Sequence, residues 1–481
     1  MNRAVIFRHL GSILLLNAVM MAFSAGVSAY DYFDSAFFPL LCSAAITGAV
    51  AFFPLYFRKK ETKVSTREGF AILFCAWFFS CLFGMLPYLI YGGEFSLINA
   101  WYESVSGYTT TGGTILKNVE ALPKGLLFWR SSTHWIGGMG VVLLIIIILP
   151  EQAAARLRLS KMELSSLSKE HFNFRIRRTL RIIASVYLGL TIAATLCYLL
   201  AGMNLFDAVN HGFSTAATGG FSTRNESLLS FNSVGVEIVG MIFMLLSGMH
   251  FGLLYLAITG KSMNLFRSPI IRYYVASLLL VGLFIALDLI FRYPGIQFWA
   301  ALRWGMFQAV SLGTTTGFAT ANSSLWPVFS VILLTFLSIQ CACSGSTTGG
   351  VKVDRFCILW ASLKVQMQKQ LHPQAYVPVR VGGVTLEPDT VSSVCLFISL
   401  YFCIILFVAA ILSLFGYDML DSLSASIAHI GNVGPGFGSV GNMSNYSHFA
   451  APPKMVCTIE MLLGRLEIYG FLMVFFLKKW R

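Results

Sequence analysis

Charge is what this 481-residue chain lacks: only 11% of its residues are Asp, Glu, Lys or Arg, while 56% are hydrophobic. Soluble domains run nearer ~25% charged and ~45–50% apolar. A soluble fold of this size could not bury that much apolar surface, so the bilayer must be its main solvent. The composition also excludes a disordered, collagenous or disulfide-rich secreted chain. No CxxC pair occurs among the ten cysteines, which scatter from Cys42 to Cys457 mostly within apolar stretches, and this argues against zinc and redox sites. Paired carboxylates and a Ser/His/Asp arrangement are missing too. His134, His211, His250 and His429 have no metal-ligand spacing, which leaves them core or interface roles. The sequence reads as a non-enzyme.

What is present is a series of apolar stretches, each long enough to cross ~30 Å of hydrocarbon. Ten are expected, near 9–30, 37–57, 69–91, 129–150, 182–203, 234–259, 273–291, 326–363, 391–415 and 455–477. Arg3, Arg8 and Val27-Ser28-Ala29 give the first stretch some likeness to a signal peptide. Its apolar part is long for one, so a retained helix is expected.

The net charge of +13 would suggest nucleic acid in a soluble protein. Here it maps topology instead. With the N-terminus inside, segments 1–8, 58–68, 151–181, 260–272, 352–390 and 478–481 are cytoplasmic. They hold 26 of the 34 Lys and Arg but eight of the 21 Asp and Glu, so they carry +18 and the rest −5. This is the positive-inside pattern of a plasma-membrane protein with both termini cytoplasmic. It leaves no reason to invoke nucleic acid.

Four times the chain shows a long apolar helix, a segment of about a dozen residues, a Thr/Gly-rich tract and a second long helix. The tracts are Thr109–Thr114, Ala216–Phe221, Gly313–Phe318 and Gly431–Gly436. Aligned on the Thr/Val-Gly step, they give Gly112, Gly219, Gly317 and Gly434, spaced 107, 98 and 117 apart. All four fall on outward connections of the charge-derived topology. Segments of ~12 residues are too short to cross, so each is expected to enter the membrane and return. Irregular backbone at that depth must be buried in protein or line a water-filled path. Four such tracts can form a ring of carbonyl dipoles that replaces a cation's water shell. The short helices would aim their negative C-terminal ends at the ion.

These tracts and spans resemble the TrkH branch of the Trk/Ktr/HKT superfamily of potassium transporters, over essentially the whole chain. The resemblance implies an all-α polytopic fold, with two N-terminal helices (1–60) and four helix–pore-helix–helix repeats (61–160, 161–262, 263–380 and 381–481) around a central pore. It implies K⁺ as the bound, transported ion, with no nucleotide or metal cofactor in this chain. The filter would comprise Thr110, Thr111, Gly112, Ala217, Thr218, Gly219, Thr315, Thr316, Gly317, Asn432, Val433 and Gly434. In plant relatives serine at the first-repeat position accompanies sodium preference, so Gly112 favours potassium. The fourth tract departs from the pattern, since Asn432-Val433-Gly434-Pro435 replaces threonines and Pro435 has no amide hydrogen. The resemblance further implies a homodimer, a cytosolic nucleotide-binding regulatory ring of the TrkA type, and the bacterial inner membrane. Basic segments 151–181 and 352–380 are the natural docking surface for the ring, although topology and anionic lipid account for much of their charge.

Two features point to a gate. The eighth stretch is broken by Cys341–Gly350, in which Ser344-Gly345-Ser346-Thr347-Thr348-Gly349-Gly350 lacks the side chains of a lipid-facing helix. A kink or a flexible intramembrane loop follows, and the resemblance favours the loop. Val351 separates Gly350 from Lys352, so this is no Walker A motif. Gly436–Gly441 satisfies GxGxxG but follows a pore segment rather than a strand. Arg465 lies mid-way along the last stretch, where an arginine costs about 2.5–3.5 kcal/mol on insertion scales. Glu460 and Glu467, at i−5 and i+2, are not standard same-face partners. A static ion pair is one reading of Arg465; the resemblance, which implies an arginine beside the loop, favours joint obstruction of the ion path by Arg465 and 344–350. An H⁺- or Na⁺-coupled symporter is the alternative, with Glu103, Glu237, Asp288, Glu460 and Glu467 as its candidate carboxylates.

Overall fold

The computed structural model describes residues 3–56, 66–140, 167–260 and 268–476. The second half of the fourth expected span and most of the basic segments 58–68, 151–181 and 260–272, with all of 478–481, lie outside the described residues. Among the described residues six helices are long and apolar enough to cross a membrane, or seven if one bent pair counts as a span. The chain is an all-α polytopic membrane protein. Among the described residues the one small sheet is a hairpin of β1 (Arg380–Val381) and β2 (Val384–Thr385), closed by Gly382 and Gly383, both at positive φ.

Helices α1 (Arg3–Tyr30) and α2 (Phe37–Tyr56) form an antiparallel pair beside the rest. A buried Asn17 donates to Ser80 Oγ at 3.0 Å and ties the pair to α3 (Thr66–Gly84). After α3 come α4 (Leu86–Tyr91), the short α5 (Leu97–Tyr108) and α6, described over 124–140. The same order recurs three times. It runs through α7 (Leu167–Leu200), α8 (Leu205–Ala216), α9 (Val234–Ser247) and α10 (Phe251–Ile258). It continues through α11 (Pro269–Arg292), α12 (Phe298–Gly313), α13 (Val328–Gln340) and α14 (Val353–Leu371). It ends with α15 (Pro388–Leu414), α16 (Met419–Ile430), α17 (Ala451–Arg465) and α18 (Ile468–Phe476).

The short helices α5, α8, α12 and α16 coincide with the four short segments that precede the Thr/Gly tracts in the sequence. Two start on side-chain caps that fix their entry: Ser96 Oγ accepts from Asn99 N, and Asn204 Oδ1 accepts from Asp207 N. The last turns of all four are buried, Phe213 of α8 apart, whereas α15 buries only a third of its apolar window. The structure adds two breaks that the span reading missed. Helices α9 and α10 meet at 108° around Gly248–His250, and α17 gives way to α18 at Glu467, held at φ +52°. With the break at 341–352, the second helices of the second, third and fourth repeats are interrupted.

Candidate functional site

The four tracts share one backbone path. At the end of each short helix comes a left-handed non-glycine residue: Thr110 (φ 53°), Thr218 (52°), Thr315 (55°) and Asn432 (51°). The next amide turns back onto the helix in each case: Thr111 N to Ser106 O, Gly219 N to Ser214 O, Thr316 N to Ser311 O and Val433 N to Ala428 O, all at 2.9 Å. The following residue is a glycine at positive φ, namely Gly112 (83°), Gly220 (84°), Gly317 (79°) or Gly434 (92°). These positions require glycine for space as well as conformation. A Cβ on Gly112 would meet Gly219 O at 2.1 Å, one on Gly220 Thr316 O at 2.0 Å, one on Gly317 Val433 O at 2.4 Å, and one on Gly434 Thr111 O at 2.3 Å. Each tract thus touches the next and the fourth touches the first. The ring is closed.

This geometry corrects the second-tract alignment by one residue. The equivalent of Gly112, Gly317 and Gly434 is Gly220, not Gly219, and the counterpart of Thr110-Thr111 is Thr218-Gly219 rather than Ala217-Thr218. Ala217 instead caps α8, as Thr109, Thr314 and Gly431 cap the other three. The tracts also differ behind the ring. Thr109 and Thr111 share a 2.8 Å hydroxyl contact, as do Thr314 and Thr316. In the second tract His134 fills that space, bonded through Nδ1 to Ser214 Oγ at 3.1 Å and stacked on Phe221. In the fourth, Asn432 Nδ2 donates to Thr111 Oγ1 at 3.0 Å, and Tyr446 donates its hydroxyl to Gly434 O at 2.9 Å. His134 and Tyr446, from outside the tracts, and Asn432 of the fourth thus brace the ring where threonines are missing.

Residues 344–350 are non-helical and lie against the helix ends of this ring. Thr218 Oγ1 donates to Thr347 Oγ1 at 3.3 Å, and Thr347 Oγ1 donates to Ala216 O at 3.2 Å. The amide of Gly349 donates to Thr315 Oγ1 at 3.2 Å, while a Cβ there would meet Gly431 O at 2.4 Å. Ser346 and Thr348 bond each other at 2.7 Å. Ser344 N is held by Asp354 at 2.6 Å, and Gly345 O accepts from Phe251 N at 3.1 Å. Arg465, 3% exposed, donates to Thr347 O at 2.8 Å and to Gly137 O at 3.1 Å. Its Nε has no partner, and no carboxylate pairs with it among the described residues. Arg465 and the loop are therefore in direct contact, and among the described residues Arg465 makes no ion pair.

Comparison with known proteins fits this architecture. The TrkH model, described as a cation transport protein, matches residues 36–284 and 295–479. The chain belongs to the TrkH family. It is 34% identical over 486 residues to the Trk system potassium uptake protein TrkH of Vibrio parahaemolyticus, covering 99% of each chain. It is 31% identical over 489 residues to that of Escherichia coli K12, across the full length of both. With E. coli TrkG the identity is 35% over 429 residues, 88% of this chain and 87% of the relative. The crystal structure of the V. parahaemolyticus potassium transporter TrkH superposes with a TM-score of 0.88 at 31% identity, covering all of both chains.

The membrane carboxylates of this TrkH-family chain are mostly neutralised. Glu103 pairs with Arg130 at 2.8 Å, both buried, and also holds Ile115 N and Thr114 Oγ1 behind the first tract. Glu237 lies 3.2 Å from Arg303, and Asp288 accepts from Ser330 Oγ at 2.6 Å. Glu467 is shared by Lys352 at 3.3 Å and Arg355 at 2.6 Å, so one carboxylate joins the broken second helices of the third and fourth repeats. Glu460 stands apart, fully buried, with Oε1 on Ser426 Oγ at 2.5 Å and Oε2 without a partner. The four histidines have packing roles: His211 Nε2 meets Ser222 Oγ, His250 caps α10, and His429 Nε2 meets Tyr102 OH at 2.8 Å. No metal-ligating cluster occurs among the described residues.

Proposed function

We propose that the chain is the ion-translocating subunit of a Trk-type potassium uptake system of the bacterial inner membrane, conducting K⁺ in a channel-like way through the ring. The closed circuit of four glycine–carbonyl contacts carries this reading, because it brings four backbone segments around one axis with helix C-termini behind them. The relatives' names as potassium uptake proteins supply the ion. Carbonyls of Thr110, Thr111, Thr218, Gly219, Thr315, Thr316, Asn432 and Val433 replace water around K⁺, and Gly112, Gly220, Gly317 and Gly434 let the tracts approach. An inside-negative potential of 100 mV contributes about 2.3 kcal/mol per entering cation, so no chemical step is needed. Ser344–Gly350 and Arg465 obstruct the cytoplasmic half, and Lys352 anchors the loop's end to Glu467.

In this reading the tracts open outward, both termini are cytoplasmic, and the repeats divide near residues 60, 160, 262 and 380. The functional unit is a homodimer docked on a TrkA-type ring through 151–181 and 352–380. A proton-coupled symporter is the second reading, and Glu460, buried without a cation, is the observation that favours it. The test is growth of a potassium-uptake-deficient bacterium at low K⁺. Expression should restore growth, and Gly220→Ala should abolish it at unchanged membrane abundance. Failure to raise K⁺ uptake, or full growth with Gly220→Ala, would overturn the reading.

A further inference from the structure

The left-handed residues place side chains as well as backbone around the axis. Thr110, Thr218, Thr315 and Asn432 occupy the same position in four tracts and have the same backbone conformation, so their Cβ atoms share one direction relative to the ring. The loop contacts settle that direction for three of them. Thr218 Oγ1 meets Thr347, Thr315 Oγ1 accepts from Gly349 N, and a Cβ on Gly349 would lie 2.9 Å from Asn432 Oδ1. These side chains therefore face the loop, on the side of the ring where α5, α8, α12 and α16 end. The fourth oxygen, Thr110 Oγ1, and Asn432 Oδ1 have no hydrogen-bond partner, although Thr110 is 1% exposed and Asn432 fully buried. Asn432 spends its amide N–H groups on Thr111 Oγ1 and Met461 O, both at 3.0 Å, and its oxygen lies between Gly349 and Gly464, where added Cβ atoms would come within 2.9 and 3.0 Å. Buried polar atoms normally find partners. Two orphaned oxygens at equivalent positions of one ring therefore point to a missing ligand.

We propose that Thr110 Oγ1, Thr218 Oγ1, Thr315 Oγ1 and Asn432 Oδ1 form an inner cation site below the carbonyl ring, for which the loop 344–350 and a largely dehydrated monovalent cation compete. Four neutral oxygens suit such an ion, and four helix C-termini make the position electronegative. The loop donates its Gly349 N–H to Thr315 Oγ1 and sets Thr347 Oγ1 as an acceptor 3.3 Å from Thr218 Oγ1, and so occupies the place of a cation. Arg465 lies on the far side of Thr347 and holds the loop there. By linkage, a cation that binds better when the loop is withdrawn must favour withdrawal. The permeating ion would then act on its own gate. This inference rests on reading the ring as an ion filter.

The test is hydrogen–deuterium exchange of the full chain in nanodiscs, following the peptide that spans 344–350. K⁺, Na⁺ and N-methylglucamine are compared at constant ionic strength, with K⁺ flux measured on the same preparation. K⁺ should accelerate loop exchange about 5-fold or more over N-methylglucamine. Thr110→Val removes an oxygen that has no partner, so it should reduce the acceleration of loop exchange by K⁺ relative to N-methylglucamine. Thr110→Ser should retain the response. Exchange equal in K⁺ and N-methylglucamine, or a Thr110→Val response equal to wild type, would overturn the inner site while K⁺ flux kept the filter reading standing. Absence of flux would overturn the filter reading itself.

Discussion

Replacing Arg465 by alanine removes two charge-assisted hydrogen bonds from the obstructed state, to Thr347 O at 2.8 Å and to Gly137 O at 3.1 Å. Only the first involves the loop, so it alone biases loop position. A hydrogen bond from a charged donor contributes about 1.5–3 kcal/mol. If the loop leaves this contact on opening, its loss shifts the closed–open equilibrium by roughly 10- to 150-fold. Global stability should change less, because alanine also relieves the burial of a guanidinium that no carboxylate offsets. Rb⁺ uptake into proteoliposomes at a fixed inside-negative potential is the assay. Arg465→Ala should raise basal uptake by at least about tenfold. Arg465→Gln, which keeps one donor, should fall between it and wild type. Unchanged or reduced uptake by monodisperse Arg465→Ala protein would refute the assignment of Arg465 to the obstruction.

Glu467→Gln leaves Lys352 and Arg355 without their shared carboxylate. Because Glu467 is 35% exposed, the loss should be about 1–3 kcal/mol rather than that of a fully buried pair, read as a lower thermal midpoint together with higher basal flux. Gly220→Ala should stop uptake, since its Cβ would lie 2.0 Å from Thr316 O, whereas Gly189→Ala, with nothing within 4 Å, should retain it and gain about 0.5–1 kcal/mol of stability. Glu460→Gln should leave flux equally insensitive to a pH gradient; a pH dependence present in wild type and lost in this variant would favour the symporter.

The short helices and their tracts were legible because a re-entrant segment has a length signature, about a dozen residues where a span needs about 20. Three of them have 12 residues and α12 has 16. Position within the second tract was misread because Gly219 and Gly220 are adjacent and the Thr-Gly step selects the first. A better signal was available: Ser106, Ser214 and Ser311 each lie six residues before the positive-φ glycine, and this distance is set by the turn that returns to the serine carbonyl. The break at 344–350 was visible as a run of residues unable to hold a lipid-facing helix. The breaks at Gly248–His250 and Glu467 left weaker traces, because each takes only a few residues within a long apolar stretch. Charge partners such as Glu103–Arg130 and Glu467–Arg355 were out of reach, since they are 27 and 112 residues apart and meet only through tertiary packing.

Cation flux by the purified chain in vesicles under a controlled potential tests the central claim most directly, comparing K⁺, Rb⁺, Na⁺ and Li⁺ with and without a pH gradient. A channel-like potassium pathway through the ring predicts K⁺ and Rb⁺ fluxes well above those of Na⁺ and Li⁺, driven by the potential and indifferent to the pH gradient. Equal Na⁺ and K⁺ fluxes, or a flux that vanishes without the pH gradient, would contradict it.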